Sequence, residues 1–250
     1  MKTCIVVPHY DHFEQFAPFL PELAQAGLPI IVVDDASPAA SVTELEALLE
    51  SSPADTTLIR HEQNQGKGAA VISGLLAAQA AGYTHALQID ADGQHDSAGI
   101  PDIVAAADED PRALVCGVPV FDNSVFKFRY YARYITLWFA RLESLSMSIR
   151  DAMCGFRVYP LAAINAMLEK VSFGRNMAFD CEILVRAIWA GIPLRSVPVH
   201  VSYPSDGKSH FRYVRDNVDI SWMHTRLLFG MVLRLPLLLG RKLVPGRTPD

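Results

Sequence analysis

Two aspartates one residue apart, Asp90 and Asp92 in Asp90-Ala91-Asp92-Gly93-Gln94, follow directly on the apolar run Ala86-Leu87-Gln88-Ile89. Carboxylates placed this way at a strand end repel each other unless a cation neutralises them. Mg²⁺ and Mn²⁺ take oxygen ligands, commonly one or two carboxylates together with substrate phosphates. Gln94 offers a further carbonyl oxygen. The alternative is an acidic turn that caps the following helix. A second acidic pair, Asp34-Asp35, ends the run Ile30-Ile31-Val32-Val33, where one acid can accept hydrogen bonds from a ribose or base while the other caps the turn at Ser37-Pro38. In Asn64-Gln65-Gly66-Lys67-Gly68 the glycines let backbone N–H groups approach an anion and Lys67 adds charge; tight helix packing accounts for the same glycines. This is neither a P-loop nor a Rossmann fingerprint. Arg157, beside Gly155, can clamp a diphosphate or pair with Asp151. Asp180 and Glu182 open a helix, where the dipole favours acids, and either can act as a general base toward an acceptor hydroxyl. The segment Gly207-Lys208-Ser209-His210, with Arg212 beyond it, reads as a polar loop that closes over a substrate or serves as a connector.

These residues sit at the ends of a regular alternation. Short β-branched runs at Cys4–Pro8, Ile30–Asp34, Thr57–Arg60, Thr84–Ile89 and Ala113–Gly117 alternate with helical patterns at Phe13–Ala26, from Ser41, at Lys67–Ala81 and at Ser97–Ala107. Ser41 and Glu44 have the spacing of a capping box. The strands lack polar alternation, as expected when both faces of a sheet are covered. The order predicts an α/β fold with a mostly parallel central sheet flanked by helices and right-handed crossovers. Ligands of such sheets bind outside the carboxyl ends of the strands, so the loops after Val7, Val33, Arg60 and Ile89 are the expected site. The second half reads as a long aromatic helix at Ser124–Ser146, a strand at Met153–Tyr159, a helix at Asp180–Ala190 and a strand at Leu194–Val201. Val214, Val218, Trp222, Thr225 and Phe229 then recur at helical spacing. Residues 1–211 are expected to form the main domain and 212–250 an amphipathic helical tail.

The chain has 250 residues, half of them hydrophobic, which excludes a disordered or fibrous protein. The net charge of −5 argues against nucleic acid as a partner. The balance is uneven: from Ser205 onward there are eight Lys/Arg against four Asp/Glu. A basic tail on an acidic body points to a phosphate or a membrane surface. The four cysteines have no metal spacing and read as reduced thiols of a cytoplasmic protein. The first apolar run stops at His9-Tyr10-Asp11, unlike a signal peptide. Leu227–Leu239 is interrupted by Arg234 and Pro236, so it is expected to lie in a membrane surface rather than span it. His9, His12, His61, His85, His200 and His224 show no ligand spacing and read as structural or surface residues.

Taken in order, Val6-Val7-Pro8-His9-Tyr10, Val33-Asp34-Asp35-Ala36-Ser37, Asn64-Gln65-Gly66-Lys67-Gly68, Asp90-Ala91-Asp92-Gly93-Gln94-His95, Cys154-Gly155-Phe156-Arg157 and Val197-Pro198-Val199 resemble glycosyltransferase family 2, from about Thr3 to Phe211. Within it they are most similar to the dolichyl-phosphate mannose synthase and polyprenyl-phosphate glycosyltransferase branch. The resemblance implies a GT-A fold and an inverting transfer from a nucleotide-diphosphate sugar. It places Pro8 and Tyr10 at the base, Asp35 at the nucleotide, Asp90 near the ribose or sugar, Asp92 and Gln94 at a Mg²⁺ or Mn²⁺ ion, and Arg157 near the diphosphate or acceptor. The branch carries an Arg and a Lys around its acceptor loop; Pro204 and His210 stand there instead, leaving Lys208 and Arg212 as the loop's cations. The expected acceptor is a lipid or lipid-linked molecule such as a polyprenyl phosphate, with the enzyme peripheral at the inner face of the cell membrane. Other readings are transfer to a soluble glycan or small-molecule hydroxyl, with the tail packed on its own domain or a second subunit, and a non-catalytic nucleotide-sugar-binding protein. A nucleotidyltransferase would need a Gly-rich loop after the first strand, which His9-Tyr10-Asp11 is not.

Overall fold

Strand β1 (Thr3–His9) is buried along its whole length. Its alternate side chains enter two different cores: Cys4 and Val6 pack on one side, Ile5 and Val7 on the other. That is why the run is continuously apolar. The computed structural model describes residues 1–121, 127–202 and 213–243. In chain order these form β1, α1 (Phe13–Ala24), β2 (Ile30–Asp34), α2 (Ala39–Glu50), β3 (Thr56–Arg60), α3 (Lys67–Ala80), β4 (His85–Gln88), a single 3₁₀ turn (Ser97–Gly99), α4 (Ile100–Glu109), β5 (Leu114–Phe121) and α5 (Lys127–Ser144). There follow β6 (Arg157–Pro160), α6 (Leu161–Leu168), α7 (Phe179–Ala190), β7 (Leu194–Val201) and α8 (Tyr213–Leu243). The described residues make one seven-stranded sheet in the order β3-β2-β1-β4-β6-β5-β7. Helices α1, α2 and α4 cover one face; α3 and α5–α8 cover the other.

Strands β1 to β4 are mutually parallel, and β5 is parallel to β7. Strand β6 runs antiparallel between β4 and β5, pairing Gln88 with Arg157 and Cys116 with Arg157. The expected strand at Met153–Tyr159 therefore begins later, at Arg157, and residues 153–156 approach the carboxyl end of β4. The capping box expected at Ser41 and Glu44 does not form: α2 starts after Pro38 with no side-chain cap, and the Ser41 hydroxyl donates to Asp11 Oδ1 at 2.9 Å. Ser41 thus fastens the loop after β1 rather than the helix. All four cysteines are buried and unpaired, and burial pushes the Cys116 thiol up to about 11.

Helix α8 is one continuous helix through Pro236. From Arg215 to Leu243 it is long and apolar enough to cross a membrane by length and composition, a span the interrupted run Leu227–Leu239 does not suggest. One side of it nevertheless belongs to the domain core, through Met223, Leu227 and Leu238.

Helix α3 crosses β1 and β2 closely enough that a methyl group at Gly74 would stand 2.3 Å from Val6 Cγ1 and 3.2 Å from Val33 Cγ2. Gly74→Ala is expected to lower stability by about 1–3 kcal/mol, the usual cost of overpacking a core. A urea midpoint equal to that of the unaltered chain would contradict this packing.

Candidate active site

The carboxyl ends of β1, β2 and β4 and the loop after β3 surround a cleft of about 550 Å³. Its walls carry Pro8, Tyr10, Asp35, Lys67, Asp90 and Asp92, six of the residues expected from sequence. His9, His12, Asn176, Met177, Arg215 and Asp216 also line it.

The floor is organised around Lys67, the first residue of α3. Its Nζ donates to Asp90 Oδ2 at 2.8 Å and to Asp180 Oδ2 at 2.9 Å, joining α3, the end of β4 and the start of α7. Burial alone would lower the lysine pKa, but the carboxylates of Asp180 and Asp90 outweigh it and hold the ammonium charged well above its ordinary range. Burial would raise the pKa of Asp90; Lys67 and then His95 overcome this and lower it. Asp92 lacks such a partner. Burial, followed by the charge of Asp90, raises its carboxyl to about 6. The backbone N–H of Gln94 donates to Asp92 Oδ1 at 3.1 Å, fixing the turn. Asp90 Oδ1 is buried and accepts no hydrogen bond among the described residues. Gly155 makes this crowding feasible, since a side chain there would meet both Asp90 carboxylate oxygens at 2.9 Å.

The second acidic pair divides its work. Asp34 is fully buried and closes the turn: its Oδ2 accepts from the Ser37 backbone at 3.2 Å, and its Oδ1 accepts from the Ser37 hydroxyl and lies 3.2 Å from His9 Nδ1. Asp35 faces the cleft, yet it also folds the neighbouring loop, accepting from the N–H groups of Gln65 at 2.8 Å and Gly66 at 2.7 Å. The amino end of α3 is not open to an anion throughout: the Ala69 N–H donates to the Arg175 carbonyl at 3.1 Å. Residues 174–177 thereby form a wall between α3 and α8.

Other expected site residues stand apart from the cleft lining. Arg157 is completely buried under the floor, where its guanidinium donates to the carbonyls of Asp180 at 2.6 Å and Ala152 at 3.4 Å. It does not pair with Asp151, whose carboxylate receives Arg133 and the N–H groups of Met153 and Cys154. Glu182 is also fully buried, held by Arg186, Arg226 and the Gly174 N–H. Asp180 lies just beneath the cleft surface with its carboxylate committed to Lys67 and, at 3.4 Å, to Gln88 Nε2. Gln94 is half-buried beyond the lining residues. Gly207, Lys208, Ser209, His210 and Arg212 lie outside the described residues. Among the residues that sequence reasoning left out, His9 and His12 flank Tyr10 at a strand end, a position that could have flagged them. Arg215 and Asp216 come from a distant helix and carry no local signal.

Residues 4–168 match the family described as Glycosyl transferase family 2. The chain belongs to that family. It is 26% identical over 216 residues to the dolichyl-phosphate beta-glucosyltransferase of Dictyostelium discoideum, covering 78% of this chain and 65% of that protein, a little under two thirds of its length. It is 24% identical over 207 residues to the polyprenol monophosphomannose synthase of Mycolicibacterium smegmatis, covering 79% of this chain and 76% of that one. Its fold is similar to that of glucosyl-3-phosphoglycerate synthase from Mycobacterium tuberculosis, solved with Mn²⁺, UDP and phosphoglyceric acid (TM-score 0.66, 13% identity, 92% of this chain and 78% of that chain). The chain is thus a family-2 glycosyltransferase with the GT-A fold.

In this glycosyltransferase the Lys67 ammonium is the only described cation that touches both Asp90 and Asp180. Lys67→Met leaves two largely buried carboxylates facing each other. It is expected to cost about 3 kcal/mol, the lower end for removing one partner of a buried pair. Urea denaturation measures this, and an unchanged midpoint would refute the neutralising role.

Proposed function

We propose that the chain transfers a sugar, with inversion, from a nucleotide-diphosphate sugar to the phosphate of a polyprenyl-type lipid at a membrane surface. The observation that carries this reading is the pair Asp90 and Asp92 at the bottom of a cleft large enough for a nucleoside diphosphate sugar. Asp90 keeps a buried oxygen without a hydrogen-bond donor among the described residues, and Asp92 is disfavoured as an anion by burial and by Asp90. A divalent cation relieves both conditions, so the residues fit Mg²⁺ or Mn²⁺. A cation of this kind takes its remaining ligands from substrate phosphates. Such an ion, when bound, neutralises the charge that builds on a leaving diphosphate.

The chain's own residues do the rest of the positioning. Pro8 and Tyr10 form the wall for the base, and the loop folded on Asp35 closes the nucleotide side. An acceptor oxygen attacks the anomeric carbon from the face opposite the diphosphate, and the bond from that carbon to the diphosphate oxygen breaks. A phosphate acceptor is already an anion and needs no general base. This agrees with Asp180, whose carboxylate is held by Lys67 and Gln88 and has no cleft-facing role of its own. The names of the relatives, which act on dolichyl phosphate and polyprenol, support the same acceptor class.

The membrane reading rests on two neighbouring helices. Phe139 of α5 and His224 of α8 have ring centroids 5.0 Å apart, and Glu143 Oε1 lies 2.8 Å from His224 Nδ1. Away from this contact both helices turn apolar side chains outward: Ile135 and Trp138 on α5; Val218, Trp222, Phe229 and Leu233 on α8, with Trp138 71% and Leu233 81% exposed. Tryptophans among exposed aliphatics, on a basic tail, suit the headgroup region of an anionic bilayer. Because α8 is bound to the domain from Met223 to Arg241, whose guanidinium reaches the Trp189 carbonyl at 2.9 Å, it lies along the surface rather than across the membrane. The four unpaired thiols fit a reducing compartment.

Thermal-shift measurements with Mn²⁺ and a panel of UDP- and GDP-sugars test the donor and metal. At least one sugar nucleotide is expected to raise the melting temperature only with the metal, since a ligand of the native state stabilises it. Asp92→Asn should remove that rise and slow turnover by about a hundredfold or more, the several kcal/mol a Lewis acid supplies. Full metal-dependent stabilisation of this variant would overturn the site. For the membrane, flotation with phosphatidylserine-containing vesicles is expected to carry the unaltered chain and to leave Trp222→Glu/Leu233→Glu behind. Equal flotation of the two would exclude this face of α8.

A further inference from the structure

The cleft is strongly acidic. Asp11, Asp35, Asp90, Asp92 and Asp216 line it, against Lys67 and Arg215 as its cationic lining residues among those described. Lys67 is already committed to Asp90 and Asp180. Arg215 differs: its side chain is exposed, and it makes no hydrogen bond or ion pair among the described residues. Among the described residues, an anion entering this cleft therefore meets one cation that is free to bind it.

Arg215 is held in a built position. One turn further along α8, Asp219 Oδ2 accepts from Asn176 Nδ2 at 2.7 Å. Asn176 belongs to the 174–177 wall, whose Arg175 carbonyl receives the Ala69 N–H of α3. The amino end of α8 is thus tied through that wall to the helix that carries Lys67.

The placement on α8 indicates which anion. Asp90 and Asp92 sit at the end of β4, where the donor's diphosphate belongs under the reading above. Arg215 sits on a different element, and the same helix turns Val218 and Trp222 outward within two turns, at 61% and 62% exposure. One end of α8 thus offers a guanidinium to the cleft, and its next turns offer an apolar face outside it. A phosphate monoester on an apolar chain has the matching order of groups. We propose that Arg215 is the residue that binds the phosphate of the acceptor; this rests on the lipid-phosphate reading.

Equilibrium binding to the full chain tests it, with citronellyl phosphate as the acceptor probe and UDP and GDP with Mn²⁺ as the donor probes. Arg215→Ala is expected to weaken citronellyl phosphate by about tenfold or more, the loss of a charge-assisted hydrogen bond. Nucleotide affinity should change less than twofold, and Arg215→Lys should recover part of the phosphate affinity, which a merely structural role would not predict. Citronellyl phosphate affinity within twofold of the unaltered chain would overturn the assignment alone. Loss confined to the nucleotides would overturn it by giving Arg215 to the donor. If the unaltered chain binds a nucleotide but not citronellyl phosphate, the lipid-phosphate reading falls and takes the assignment with it.

Discussion

A single ammonium between two carboxylates organises the floor of this enzyme. Lys67 joins the beginning of α3, the end of β4 and the beginning of α7, three elements distant in sequence. Without it, the carboxylates of Asp90 and Asp180 would confront each other with little water to screen their repulsion. Beneath, Arg157 holds the carbonyl of Asp180 from the buried side. Asp90, on the cleft wall, and Asp180, just beneath it, are thus anchored from within the floor. Asp92, on the cleft wall, has no such cation among the described residues, and burial and the charge of Asp90 raise its carboxyl to about 6.

What was legible in the sequence lies at strand ends. A buried parallel strand must be apolar throughout, so each run announces itself and its last residue marks the rim of the cleft. Asp35, Lys67, Asp90 and Asp92 follow from that rule and from the glycines beside them, while Pro8 and Tyr10, at the first of these rims, followed from the family resemblance. Arg157 and Glu182 did not, because charged residues are expected at the surface and nothing local shows that backbone carbonyls will solvate the first or two arginines neutralise the second. The Ser41 motif misled for a related reason: a hydroxyl bonds to whichever acceptor the fold brings nearest, and Asp11, thirty residues away, is nearer than any helix end. Arg215 was hidden because its position depends on how a late helix returns to the first half of the chain.

Helix α8 shows how averaging along a sequence can conceal two faces. Arg234 looks like an interruption in an apolar run, yet its guanidinium lies 4.8 Å from the Trp189 ring and donates to the Gly230 carbonyl at 3.0 Å. The charge is absorbed by the domain side, and the outward side stays apolar. A helix with a buried stripe and a second exposed apolar stripe reads in composition like a spanning segment, although its inner stripe already has a partner.

Strand β6 enters the sheet against the direction of its neighbours, so the rim beside β4 is made by a segment arriving at the sheet, while β1, β2 and β4 contribute segments leaving it. Parallel crossovers must be long and right-handed, which limits how they can vary. The stretch from residue 145 to residue 156 has no such restriction. Packing restricts it instead: Ile149, Ala152, Cys154 and Phe156 are buried, and Gly155 brings it against Asp90 with no room for a side chain. One margin of the basin is thus held by side-chain packing, while the others are held by the crossovers of the parallel strands.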